Sequence, residues 1–325
     1  MPTAAALAVA DRLRRSASVL VVAHRPADAD GVGSALALAR LLEEMGSRVE
    51  RVCTAPLDAG LLALPGADRI AAQVSAHERW DTAVLLDCAS LDRAGLPPAV
   101  LARAEVVVNV DHHRTNPGFG DVTYIDPSAP ATTALVAELF DALAQPLTAA
   151  DATCLYAGLV TDTDRFTAES ATAAAHRLAA RFIDAGADAA GMIAALYAAR
   201  SRAALRLMAR AIDRLRLSDD GHVAWIRLDA ADFRAVGSAS LGSEDLAGVA
   251  LGVEGVWVAA YLRPGQDGVR VGLRSRHPGV DVAAIAARFG GGGHRWAAGF
   301  NDADGDGAER RVLAALEEAV RRVGH

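Results

Sequence analysis

Along the first third of the chain, continuous apolar runs stop at chemically active side chains. Ser18-Val19-Leu20-Val21-Val22-Ala23 runs into His24, and Thr82-Ala83-Val84-Leu85-Leu86 runs into Asp87. Glu105-Val106-Val107-Val108-Asn109-Val110 runs into Asp111-His112-His113. The pattern predicts strands at 18–24, 48–54, 82–87 and 105–110, and a short one near 122–125. Between them the apolar spacing turns helical. One helix is expected from near Val32 to its C-cap at Gly46, and others at 131–144, 148–160 and 170–185. Continuous apolar strands alternating with helices indicate a parallel sheet covered on both faces.

The pattern changes twice more. From Asp188 to Leu217 it is rich in Ala and Arg, with Met192, Leu196, Leu205, Met208, Ile212 and Leu215 at helical spacing. From His222 it returns to strands, expected at 222–228, 256–262 and 269–276, with a hairpin turn over Pro264–Gly268. Helices are expected at 244–252, 281–289 and 308–322. The fold class is α/β: a parallel-sheet N-terminal domain over 1–187, a helical linker over 188–217, and a smaller α/β domain over 218–325.

Composition narrows the class. The 325 residues suffice for two domains with real cores, and no apolar stretch approaches the ~18–20 residues of a membrane span. The N-terminus lacks a basic-then-apolar leader pattern, so a cytoplasmic protein without membrane association is expected. A formal charge of −7 argues against long nucleic acid held on a basic surface. It leaves a nucleotide substrate open, because divalent cations in an acidic site restore positive charge locally. Cys53, Cys88 and Cys154 are odd in number and widely spaced, which fits neither a disulfide framework nor a Cys-x-x-Cys zinc site.

The residues at the strand ends are metal ligands by type. His24-x-x-x-Asp28-x-Asp30, Asp87, His112 and Asp162 supply oxygen and imidazole donors suited to Mn²⁺, with Mg²⁺ or another divalent ion as alternatives. Each has a plain structural explanation when taken singly. Asp28 or Asp30 can cap a helix, Asp87 can end a strand, and His112 or His113 can sit at a sheet edge. Together, at the C-terminal ends of the strands, they predict two cations flanking a phosphorus centre, bridged by Asp87. Gly31 and Gly33 are expected to ease the entry into the following helix.

These motifs resemble the DHH phosphoesterase superfamily. Val271-Gly-Leu-Arg274-Ser-Arg276 and Phe289-Gly290-Gly291-Gly292-Gly293-His294 resemble its associated C-terminal domain. The length and layout are most similar to the oligoribonuclease/pAp phosphatase branch, which also includes enzymes acting on cyclic dinucleotides. The resemblance implies one cation on His24, Asp28 and Asp87, and another on Asp30, Asp87, His112 and Asp162. It implies that Asp111 orients the adjacent histidine and that His113 faces the substrate phosphate and protonates the leaving oxygen. Arg114, Arg274, Arg276, Gly291, Gly292, Gly293 and His294 would contact substrate. Two positions depart from the family pattern. Ala27 precedes Asp28 where proline is usual, and Asp164 replaces a glycine, adding negative charge near the pocket.

The expected activity is metal-dependent hydrolysis of short oligoribonucleotides to 5′-mononucleotides, and of pAp (3′-phosphoadenosine 5′-phosphate) to AMP and phosphate. Cyclic di-AMP hydrolysis is the alternative. A non-catalytic, metal-dependent nucleotide sensor is the reading from another class. A homodimer is expected by the resemblance.

Overall fold

The computed structural model describes residues 2–198, 201–237, 246–265, 268–305 and 307–323. The chain divides into two units, Met1–Ala199 and Arg200–His325. The boundary falls within the Ala/Arg-rich stretch.

The first unit opens with α1 (Ala4–Arg14) and proceeds through β1 (Ser18–Ala23), α2 (Ala29–Glu44), β2 (Arg48–Val52) and the short α3 (Ala59–Leu62). Next come β3 (Trp80–Leu86), the short α4 (Pro98–Leu101), β4 (Ala104–Asp111) and β5 (Val122–Ile125). The helices α5 (Thr132–Ala142), α6 (Ala149–Asp162), α7 (Ala173–Asp184) and α8 (Ala189–Ile193) close the unit. The five strands lie in the order β2-β1-β3-β4-β5, and every pairing is parallel. From β1 the chain steps outward to β2, then returns to place β3 on the other side of β1. That reversal opens a crevice at the carboxyl ends of β1 and β3. Both strands are buried nearly throughout, as their unbroken apolar runs required.

Glycine sets how closely the helices behind that crevice approach. A Cβ on Gly33 of α2 would stand 2.4 Å from the Cys154 carbonyl oxygen of α6. One on Gly158 of α6 would stand 2.8 Å from the Cα of Asp30. Neither glycine has a positive φ. Gly33 was expected to ease the entry into α2; its role is helix-to-helix contact. Gly31 likewise makes room, with the His24 ring 2.4 Å from where its Cβ would be.

The second unit holds α9 (Arg202–Asp213), β6 (Arg216–Leu217), β7 (Val223–Arg227), α10 (Ala230–Ala235) and α11 (Leu246–Leu251). It continues with β8 (Val258–Gly265), β9 (Gly268–Ser275), α12 (Val282–Ala287), β10 (Gly292–His294), β11 (Ala297–Asp302) and α13 (Ala308–Val323). Its sheet runs β10-β11-β9-β8-β7-β6, and only β7–β8 is parallel. Residues 266 and 267 of the expected hairpin turn, and the start of the expected 244–252 helix, lie outside the described residues. β10 and β11 had not been expected. The end of the glycine-rich run is itself a strand, paired Gly292 to Gly299 and His294 to Ala297. No described helix is long and apolar enough to cross a membrane.

Replacing Gly33 by Ala forces a methyl group into backbone that cannot retreat. Denaturant unfolding of Gly33→Ala is expected to show a loss of about 1–3 kcal/mol. An unchanged midpoint contradicts the close contact.

Candidate functional site

Each element end contributes differently. β1 delivers His24 directly from its last residue. Asp28 accepts from the Gly31 N–H at 2.9 Å, capping α2, and also reaches His24 Nε2 at 3.1 Å. One carboxylate therefore both caps the helix and contacts His24. Asp30, two residues on, is fully buried. Its carboxylate accepts from the Thr132 N–H at 2.6 Å and the Thr133 N–H at 2.8 Å, so the N-terminus of α5 points at it.

Asp87 is the hub. β3 stops at Leu86 and Asp87 turns to φ 59°, a left-handed conformation that costs a non-glycine residue about 1–2 kcal/mol. The turn directs its carboxylate back across the strand ends. Oδ2 lies 2.9 Å from His24 Nε2, while Oδ1 lies 3.6 Å from His112 Nε2 and 3.3 Å from His113 Nδ1. The Thr132 hydroxyl donates to Oδ1 at 2.9 Å. Asp162, the last residue of α6, reaches His112 Nε2 at 2.9 Å.

Asp111 was expected to orient the histidine beside it. From His112 it accepts the main-chain N–H, at 2.9 Å, and its carboxylate holds the His113 ring, with Nδ1 2.7 Å away. The His112 ring is set by the Ala129 carbonyl, 3.2 Å from Nδ1. A carbonyl only accepts, so Nδ1 carries a proton. Nε2 faces the carboxylates, and although burial opposes charge on the ring, Asp162, Asp87 and Asp30 raise it well above the ordinary imidazole value. His24 is held differently. Arg93 Nη2 lies 2.9 Å from its Nδ1, and a guanidinium only donates.

The charges conflict. Burial raises Asp30, the carboxylates of Asp162 and Asp87 raise it further, and the total lies well above the usual carboxylate range. Burial also lifts Asp162, despite its contact with His112. Asp87 goes the other way: burial disfavours its charge, but the His24 and His113 rings outweigh that and hold it well below normal. Burial opposes charge on His113, and Asp111 and Asp87 overcome it, raising the imidazole to about 9.

Divalent cations fit this donor set. His24, Asp28 and Asp87 offer ligand atoms within 4.8 Å of one another, and so do Asp30, Asp87 and His112; Asp87 is common to both. His24 Nε2 is buried between the Asp28 and Asp87 carboxylates, 3.1 and 2.9 Å away, the groups that would share a cation with it.

The family now follows. The DHH family, N-terminal domain, matches residues 18–159. A Thermus thermophilus protein, "Bifunctional oligoribonuclease and PAP phosphatase NrnA", is 34% identical over 312 residues, spanning 94% of this chain and 91% of that one. The chain belongs to the DHH family. A Geobacillus thermodenitrificans "Cyclic-di-AMP phosphodiesterase GdpP" is 28% identical over 96% of this chain, which spans 49% of that protein. The fold is shared with an exopolyphosphatase-related protein from Bacteroides fragilis, at TM-score 0.88 and 23% identity over 99% of this chain and 97% of that one.

Arg114 is exposed beside His113. Arg276 was expected to contact substrate; β9 stops at Ser275, and the Arg276 guanidinium donates to the Leu251 carbonyl. Gly291 and Gly293 are glycine for packing reasons: their Cβ atoms would stand 2.3 Å from the Gly299 carbonyl oxygen and 2.5 Å from that of Ala297. Asp164 has φ 45°, which explains a glycine there in the family pattern. Its exposed carboxylate pairs with Arg165 at 2.7 Å, so the added charge is partly neutralised.

Several supporting residues gave little signal in the sequence. Thr132 and Thr133 open a predicted helix like any capping pair. Asn116 donates to Asp111 Oδ2 at 2.6 Å and to Asn109 Oδ1 at 2.7 Å. The visible hint was Asn109 itself, a polar residue inside an apolar strand.

The raised His113 imidazole has a consequence for stability. Its folded value of about 9 exceeds the ordinary 6.5, so its contribution is complete below about pH 6.5 and is lost as pH rises through about 9. In cation-free protein, NMR titration of His113 is expected to give a midpoint near 9, shifted down in Asp111→Asn. A midpoint near 6.5 in the wild type contradicts the assigned contacts.

Proposed function

We propose that this chain is a metal-dependent phosphoesterase that hydrolyses short oligoribonucleotides to 5′-mononucleotides and pAp to AMP and phosphate. The observation that carries it is the sharing of Asp87 between two ligand groups at the mouth of the sheet. The similarity to the Thermus thermophilus NrnA over 94% of the chain supports the substrate class.

His24, Asp28 and Asp87 would hold one ion, and Asp30, Asp87, His112 and Asp162 the other, with Mn²⁺ suited to the mixed oxygen and imidazole donors. Divalent cations held there would activate water for attack at neutral pH and would neutralise charge on the phosphoryl oxygens. The protein's own groups do the rest. Asp111 fixes the His113 ring through Nδ1, which leaves Nε2 to deliver a proton to the leaving oxygen. The imidazole's raised proton affinity keeps it charged, and so able to donate, at neutral pH. The α5 N-terminus, through Thr132 and Thr133, holds Asp30 against its neighbours' repulsion. Arg274 and His294 would contact the nucleotide.

Cyclic di-AMP is the second reading, favoured by the similarity to the Geobacillus phosphodiesterase. Product analysis with Mn²⁺ on di- to pentaribonucleotides, pAp, pApA, cyclic di-AMP and pyrophosphate separates the two. Short linear substrates are expected to turn over fastest; preferential cleavage of cyclic di-AMP favours the alternative, and binding without turnover favours a sensor.

Asp87→Asn should abolish turnover, exceeding the ~10–100-fold loss typical of a supporting residue. Asp111→Asn should fall within that range. Full activity in a folded Asp87→Asn protein refutes the bridging role.

A further inference from the structure

The sheet of the C-terminal unit is covered unevenly. α12 and α13 pack on the face that carries Val269, Val271 and Leu273. On the opposite face, α9, α10 and α11 pack over β7 and β8. Within this unit, and among the described residues, that cover thins over β9 and does not extend to β11 and β10.

Register arranges the uncovered face in cross-strand rows. One row pairs Arg274 with Ala297, and Ala297 with His294. The next pairs Gly272 with Gly299, and Gly299 with Gly292. The third pairs Arg263 with Arg270, and Arg270 with Asn301. Glycine weakens a strand, and three in one row mark a close approach by something else. Packing accounts for only one of them. A Cβ on Gly299 would meet the Val271 carbonyl oxygen at 2.8 Å, but at Gly272 or Gly292 it would meet nothing within 4 Å. Neither Gly272 nor Gly292 has a positive φ. They keep a shallow floor clear.

The third row is electrostatically unfavourable as it stands. Arg263 and Arg270 are directly opposed across an antiparallel pair, and like charges so placed destabilise a sheet. Burial and the Arg263 charge both lower the Arg270 pKa. Among the described residues, no carboxylate lies within ion-pair distance of either; Arg270 makes one long hydrogen bond, 3.4 Å to Asn301. An anion seated between the two guanidinium groups would remove the repulsion and use their planar donors.

We propose that Arg263 and Arg270 form a second phosphate subsite, separated by the glycine floor from the Arg274–His294 row. Arg270 and Arg274 are four residues apart on β9, or ~13 Å. A single nucleotide cannot occupy both rows, whereas an oligoribonucleotide of several units lays successive phosphates along the face. The subsite thus selects for chain length. It rests on the oligoribonuclease reading, and the test separates the two.

The test compares wild type with Arg263→Gln/Arg270→Gln and the charge-retaining Arg270→Lys, all full length. Fluorescence anisotropy on cation-free protein with a 5′-labelled pentaribonucleotide should show the double variant binding at least about fivefold more weakly. The slope of log affinity against log salt should shrink by roughly 0.7 per lost arginine. Arg270→Lys should keep most of the affinity. With Mn²⁺, the ratio of KM for the pentamer to KM for pAp should rise by a similar factor. The double variant's melting temperature should equal or exceed that of wild type, because a repulsion has been removed. Pentamer binding and a KM ratio unchanged in the double variant overturn the subsite and leave the oligoribonuclease reading intact. A wild type that neither binds nor cleaves the pentamer overturns both.

Discussion

Carboxylates crowded out of water repel one another, and the first unit is organised around that repulsion. Asp30, Asp87 and Asp111 are buried at the carboxyl ends of one sheet, with Asp28 and Asp162 against them. No low-dielectric interior tolerates such a group without compensating positive charge. Part of that charge comes from the helix N-terminus at Asp30 and part from the three histidine rings. The remainder suits divalent ions, which the donor set fits.

The geometry follows from that demand. The strand reversal between β1 and β3 opens the crevice, and the left-handed turn at Asp87 aims one carboxylate at both halves of the cluster. Gly33 and Gly158 let α2 and α6 approach until Asp30 and Asp162 face the same space. Asp111 stands one step back and fixes the His113 ring. Backbone strain at Asp87 and close glycine contacts behind it are thus parts of one device.

The strands and the ligand types were legible because both depend on local sequence. A run such as Val19–Ala23 can only be a buried strand, and what stops it lies at the sheet's edge. The same reasoning failed where the partner was distant. Nothing near Arg93 signals that it meets His24, and nothing in Asp111-His112-His113 shows which ring the carboxylate holds. β10 was missed because four consecutive glycines have no strand propensity; its pairing with β11 is fixed by close backbone contacts at Gly291 and Gly293. Gly33 was assigned to a helix entry because its actual neighbour, Cys154, lies far away in the chain.

The proposed function requires that Asp87 hold two cations at once. Crystals grown with Mn²⁺, with anomalous scattering recorded at the manganese edge, test it directly. The account predicts two manganese peaks roughly 3.5–4 Å apart with an Asp87 oxygen coordinating each. A single peak, or two peaks that both lie outside coordinating distance of Asp87, would contradict it.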